Sequence, residues 1–184
     1  MNTKEALELL KQKAKTDYLM RHSQATGAIM KALAARFGED PELWTVAGIL
    51  HDLDLEETKD NLEQHTLLTK EWLKETDLPE EAIQAICAHN EEYTGCKRVS
   101  RFDFALSAAE AVTGLVFASA LVLPDKKLAS VKPKSVKKRI KEKAFAKNVD
   151  RGSILLCEKI DLTVDEFMEI SVKAMQDEAH VLEV

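Results

Sequence analysis

The sequence predicts an all-α protein, a bundle of about six helices with a basic helical extension on its C-terminal side. Three observations carry this. Apolar residues recur at three- and four-residue spacing along almost the whole chain. No run alternates apolar and polar residues long enough for a strand. Gly38, Pro41, Pro79 and Pro124 stand where those periodic runs should stop or start.

The elements follow in order. Asn2 or Thr3 can cap a first helix reaching about Lys13, and a second runs from about Asp17 to Phe37 with Gly38 as its stop. Asp40-Pro41 starts a third, because Asp caps and Pro tolerates the first helical position. That helix is expected to carry Trp44, Ile49, Leu50, His51 and Asp52. A fourth covers about Leu62 to Lys74, and Pro79 opens a fifth holding Ile83, Ile86, Cys87 and His89. The polar stretch 90–100 reads as a loop. A long sixth helix covers about Arg101 to Leu123 and ends at Pro124. Beyond it Asp150 can cap a helix, and Thr163 to Glu166 matches a capping box before a terminal one.

The 184 residues suit a single domain over 1–184, with a core of about 14–123 and a basic appendage of about 125–184. With 45% hydrophobic and 32% charged residues the chain is not disordered, and no repeat or low-complexity tract is present. The net charge of −6 argues against general nucleic-acid binding. Between Asp125 and Arg151, however, eleven Lys/Arg face three Asp/Glu. Cys87, Cys96 and Cys157 form an odd set without C-x-x-C, so neither a disulfide framework nor a thiolate zinc cage is expected, and a cytoplasmic location is. The apolar stretch from Phe104 to Leu123 is interrupted by Ser107, Glu110, Thr113 and Ser119. A buried core helix, not a membrane span, is the expectation.

Two features point to chemistry. His22, His51, His65 and His89 fall on four successive predicted helices, and Asp52 follows His51 directly. Glu110 sits within a helix apolar on nearly all sides, where an unpaired carboxylate costs several kcal/mol or must stay protonated. The helix carries no Lys or Arg between Arg101 and Lys126, so compensation comes either from a basic residue elsewhere or from a divalent cation held by the imidazoles. Four imidazoles and two carboxylates suit manganese, iron, zinc, cobalt or nickel. Six side chains exceed what one catalytic ion accepts and suit two ions bridged by Asp52. Such a pair can lower the pKa of a water and clamp a phosphoryl oxygen.

The ordered set His22, His51-Asp52, His65, His89 and an acidic residue at 110 resembles the HD-domain superfamily of metal-dependent phosphohydrolases. The stretch from Ala105 to Arg151 is similar to the C-terminal half of a small subgroup of HD hydrolases. The resemblance covers most of the chain. It implies an HD-type helical bundle, a centre of one or two divalent metals, and hydrolysis of a small phosphomonoester or phosphodiester of nucleotide-like character. It implies that His22, His51, Asp52 and Glu110 bind a first metal, that His65 and His89 complete a second, and that Asp52 orients the attacking water. Two departures stand out: Glu110 occupies a position that is typically Asp, and the run HDLDLEE places Asp54 where many members have Gly. Asp54 is a candidate hydrogen-bond partner for a ligand imidazole, a helix cap or a plainly exposed residue.

Candidate phosphate contacts are Arg21, Lys132 and Arg151. Val136 and Ile140 lie four apart, which equally fits a solvated amphipathic helix in the basic segment. Two other readings use the same residues, a di-iron oxygenase and a non-catalytic module that binds a nucleotide or a partner. The sequence sets neither the substrate, the metal, nor the oligomeric state.

Overall fold

Local chemistry sets the helix ends. The protein, a computed structural model describing residues 1–182, contains no strand among the described residues. Helix α1 (Thr3–Lys13) starts at a capping box, in which Asn2 accepts from the Glu5 amide and Glu5 accepts from the Asn2 amide. Helix α2 (Asp17–Phe37) is capped by Thr16 and ends at Gly38, whose φ of 72° is the left-handed turn that glycine adopts without a steric penalty. Asp40 accepts from the amides of Glu42 and Leu43 to start α3 (Pro41–Leu50).

The short α4 (Leu55–Thr58) and α5 (Leu67–Leu73) follow, then α6 (Glu80–Ala88) and the single-turn α7 (Glu91–Thr94). A Ser100–Asp103 capping box opens the long α8 (Arg101–Leu121). The C-terminal part holds α9 (Pro133–Ile140), α10 (Arg151–Leu155) capped by Asp150, α11 (Val164–Asp177) with the Thr163–Glu166 box, and α12 (Ala179–Leu182).

The structure differs from the sequence-based elements where the histidines sit. The third helix stops at Leu50, and 51–54 form consecutive turns, with the Leu53 amide donating to the Leu50 carbonyl and Leu55 to Asp52. The fourth helix begins at Leu67, five residues later than the periodicity suggests, because Thr66 has a φ of 73° and breaks the helical run. Part of the 90–100 stretch is α7 and not loop.

Helix α8 lies at the centre, packed against α2, α3, α6 and α10. It is long and apolar enough to cross a membrane, but two thirds of its most apolar window is buried within the protein. Ala105, Leu106, Ala109, Val112, Leu115 and Val116 are buried along it, and Trp44 stacks on Phe102 at its start, with centroids 4.7 Å apart. The basic α9 buries Val136 and half-buries Ile140 against α8 and α11 and leaves most of its lysines in water. Helix α11 adds Phe167, Met168, Val172 and Met175 to the same core.

Helices α2 and α3 cross with their backbones in contact at two glycines. A Cβ on Gly48 would lie 2.7 Å from Gly27 Cα, and one on Gly27 would lie 2.9 Å from Ile49 Cγ1. Only glycine permits that approach. The crossing brings the first half of α2 alongside the end of α3, where His22 and His51 stand.

Candidate metal centre

Four separate segments deliver the imidazoles to one place. His22 stands in the first half of α2, His51 and Asp52 on the turn after α3, His65 on the turn before α5, and His89 at the C-cap of α6. His22, His51, Asp52 and His65 are buried, and His89 nearly so. The Nε2 atoms meet in pairs, His22 with His51 at 3.1 Å and His65 with His89 at 3.2 Å. Asp52 joins the pairs. Its Oδ2 lies 3.4 Å from the Nε2 of both His22 and His51. Its Oδ1 lies 3.2 Å from that of His65 and 3.3 Å from that of His89.

The opposite nitrogen of each ring is tied down. His51 Nδ1 donates to the Gly48 carbonyl at 2.8 Å, and His89 Nδ1 to the Ile86 carbonyl at 2.7 Å. His65 Nδ1 donates to Asp54 Oδ1 at 2.8 Å, while Asp54 Oδ2 accepts from the Thr69 amide at 2.9 Å. His22 Nδ1 meets Thr113 Oγ1 at 2.9 Å, and that hydroxyl donates onward to the Glu110 carbonyl at 2.6 Å. Each ring therefore carries its proton on Nδ1 and turns the Nε2 lone pair inward.

In the neutral state, four lone pairs and two carboxylate oxygens crowd together with nothing to donate to them. A cation between each pair removes that conflict. Two groups result, His22 with His51 and Asp52, and Asp52 with His65 and His89, each with ligand atoms within 4.8 Å of one another. The nitrogen and oxygen donors fit divalent cations.

The electrostatics agree. Burial pushes His22 and His89 down to about 4. Burial also opposes charge on His51 and His65, but the Asp52 carboxylate outweighs it for His51. For His65, hydrogen bonds to Asp52 and Asp54 outweigh it and push the ring up to about 10. Burial opposes charge on Asp52, but the charge on His51 and hydrogen bonds from His51, His65 and His89 hold it well below the usual carboxylate range.

The family model of the HD domain matches residues 19–150, from the start of α2 to the cap of α10, and so spans every residue of this centre. The chain belongs to the HD-domain family. No curated protein and no solved structure matches it significantly. HD domains bind divalent metals and are in general metal-dependent phosphohydrolases, and the buried His/Asp groups of this HD-domain protein could hold such ions.

The remaining sequence candidates occupy varied positions. Glu110 is part-buried on α8, one turn before Thr113. It stands outside both groups of converging ligand atoms. Burial, helped by the Asp52 charge, pushes its carboxyl up to about 7. Arg21 lines a cleft beside the centre. Lys132 is exposed at the start of α9. The Arg151 guanidinium donates to the carbonyls of Phe145, Ala146 and Val149, which fastens that loop. Asp54 is buried, not exposed, and orients His65, the first of the three readings its position allowed.

Sequence reasoning missed three contributors. Gly48 orients His51 through its carbonyl and lets α2 approach. Thr113 orients His22. Asn90 donates to the carbonyls of Leu62 and His65 and so fixes the His65 turn against the end of α6. None carries a pattern that marks it, apart from the adjacency of Asn90 to His89.

Proposed function

We propose that the chain is a metal-dependent phosphohydrolase acting on a small, nucleotide-like phosphomonoester or phosphodiester. The observation that carries the reading is the bridging carboxylate: one Asp52 facing two pairs of inward-turned imidazoles. Each ion would have three protein ligands, which leaves coordination positions open for water and substrate, as a catalytic centre requires and a closed structural one does not. The ions, when bound, would supply Lewis acidity toward a phosphoryl oxygen and lower the pKa of an attacking water.

The chain's own groups do the rest. Asp52 holds the two halves of the centre at a fixed separation. Gly48, Ile86, Asp54 and Thr113 keep the four rings facing inward. The stacked Tyr18 ring, 5.9 Å from His22 centroid to centroid, flanks the His22 side of the centre.

The test is a phosphatase screen over nucleotides and sugar phosphates with manganese, cobalt, nickel, magnesium and zinc in turn, on the wild type and on Asp52→Ala. Turnover that falls to background in the variant, with circular dichroism still helical, supports the proposal. Unchanged turnover in Asp52→Ala rejects it. Stoichiometric di-iron without phosphatase activity would instead point to oxygen chemistry.

A further inference from the structure

A cleft of about 640 Å³ runs away from the centre between α2 and α8. Its floor is the α8 face carrying Gly114, Phe117, Ala118 and Leu121, continuous with Glu110 at four-residue spacing. Tyr18 closes its inner end, with its ring stacked on His22. The loop 144–149 forms the far wall and presents Lys147 and Asn148, both exposed, to the opening.

That wall is firmly held. Three carbonyls of the loop accept from Arg151, the Arg139 guanidinium lies 3.9 Å from the Phe145 ring centroid, and Gly114 makes room for Val149, whose Cγ2 would lie 3.0 Å from a Cβ there. The volume falls within the roughly 300–1,000 Å³ usual for small-molecule sites. None of the lining residues is acidic, although the chain as a whole is.

We propose that this cleft binds the leaving group of the substrate, a group that joins an aromatic ring system to a second anion besides the reacting phosphate. The inference rests on reading the centre as a phosphohydrolase. The inner position follows from Tyr18, which touches both the cleft and a ligand of the centre. An aromatic body follows from Tyr18 and Phe117, whose ring faces reward a flat neighbour more than a flexible alkyl chain. The second anion follows from Lys147, exposed at the mouth of a cleft whose lining also holds Arg21 and no acidic residue. Hydrolysis breaks the phosphorus–oxygen bond to this group and forms one to the oxygen of water. A proton of that water passes to the departing oxygen.

The experiment compares kcat/KM for adenosine 5′-monophosphate, ribose 5-phosphate and adenosine 3′,5′-bisphosphate. The protein is wild type, Ala118→Trp, which fills the floor, or Lys147→Glu, an exposed loop change that leaves folding intact. The base should be worth about tenfold or more over ribose 5-phosphate, and Ala118→Trp should bring that ratio toward one. The bisphosphate should be preferred over the monophosphate several-fold at low salt, and Lys147→Glu should abolish the preference. Equal kcat/KM with and without the base, or ratios unmoved by both variants, overturns the cleft assignment while leaving the phosphohydrolase reading standing. If no phosphate ester turns over, calorimetry on the metal-loaded protein separates the two. Adenosine 5′-monophosphate binding tighter than ribose 5-phosphate, and weakened by Ala118→Trp, upholds the cleft and sinks the hydrolase. Equal binding overturns the cleft.

Discussion

Replacing Asp54 by Asn isolates the contribution of one buried carboxylate to the centre. In the wild type, Asp54 Oδ1 accepts from His65 Nδ1 at 2.8 Å and Oδ2 accepts from the Thr69 amide at 2.9 Å. Asparagine is isosteric but has only one acceptor. If its oxygen faces His65, its NH2 points at the Thr69 N–H. If it faces Thr69, the NH2 points at His65 Nδ1–H. Either way a buried donor is left unpaired, which costs about 1–3 kcal/mol. A third arrangement moves the His65 proton to Nε2 and removes the lone pair from the centre. The carboxylate also makes the imidazole more basic, an effect the amide lacks. The loss of such a partner typically weakens metal binding about 10–100-fold, equivalent to about 1.4–2.7 kcal/mol. The loss should be confined to the His65–His89 half, because Asp54 touches neither His22 nor His51. Competition titration against a chromophoric chelator should therefore show one tight and one weakened equivalent, against two tight equivalents in the wild type. Two tight equivalents within twofold of wild type would refute the assignment of Asp54 as the group that orients His65.

The glycine crossing and the buried imidazoles give two further expected outcomes. Gly48→Ala places a Cβ 2.7 Å from the Gly27 backbone. It should destabilise the fold by about 1–3 kcal/mol or more, read as a lower urea midpoint, and should weaken binding at the His22–His51 half. A wild-type midpoint would show that the crossing is slack. The metal-free protein should also lose stability in mild acid. His22 and His89 are held at about 4, whereas an unfolded histidine titrates near 6.5. Between those values the unfolded chain binds protons that the folded one refuses, so their contribution is present above about pH 6.5 and lost as pH falls toward 4. His65, pushed up to about 10, acts the other way: its contribution is full below about pH 6.5 and lost as pH rises through 10. Urea midpoints in the presence of chelator should decline on both sides of neutrality, and a midpoint that holds steady from pH 7 to pH 4.5 contradicts the acid branch.

Much of this architecture is legible in the sequence where the signal is local. Asp40-Pro41, Gly38, Asp150 and the Thr163–Glu166 box act within four residues of themselves, and each starts or stops the helix it marks. The convergence of the four histidines on Asp52 is anticipated through the resemblance of their order along the chain to the HD-domain pattern, not through any local signal. The turns at 51–54 and 62–66 are not. Their apolar spacing continues the helical pattern, and what breaks it is tertiary: the Asp54 contacts with His65 and Thr69, and the hold of Asn90 on the carbonyls of Leu62 and His65. Burial and the resemblance both suggest Glu110 as a ligand, whereas its position outside the two groups of converging atoms depends on how α8 is rotated.

The glycine crossing of α2 and α3 makes the two halves of the centre unlike in stiffness. His22 rides on a 21-residue helix, and His51 sits three residues beyond the point where main chain touches main chain. Neither ring can shift without sliding one rod across the other. His65 hangs instead from a turn held by the side chains of Asn90 and Asp54, and His89 from the end of α6. In the proposed two-ion reading, the first half would therefore be an exacting seat that discriminates among ions by size, and the second a forgiving one. Ion exchange should accordingly be slow at one seat and fast at the other.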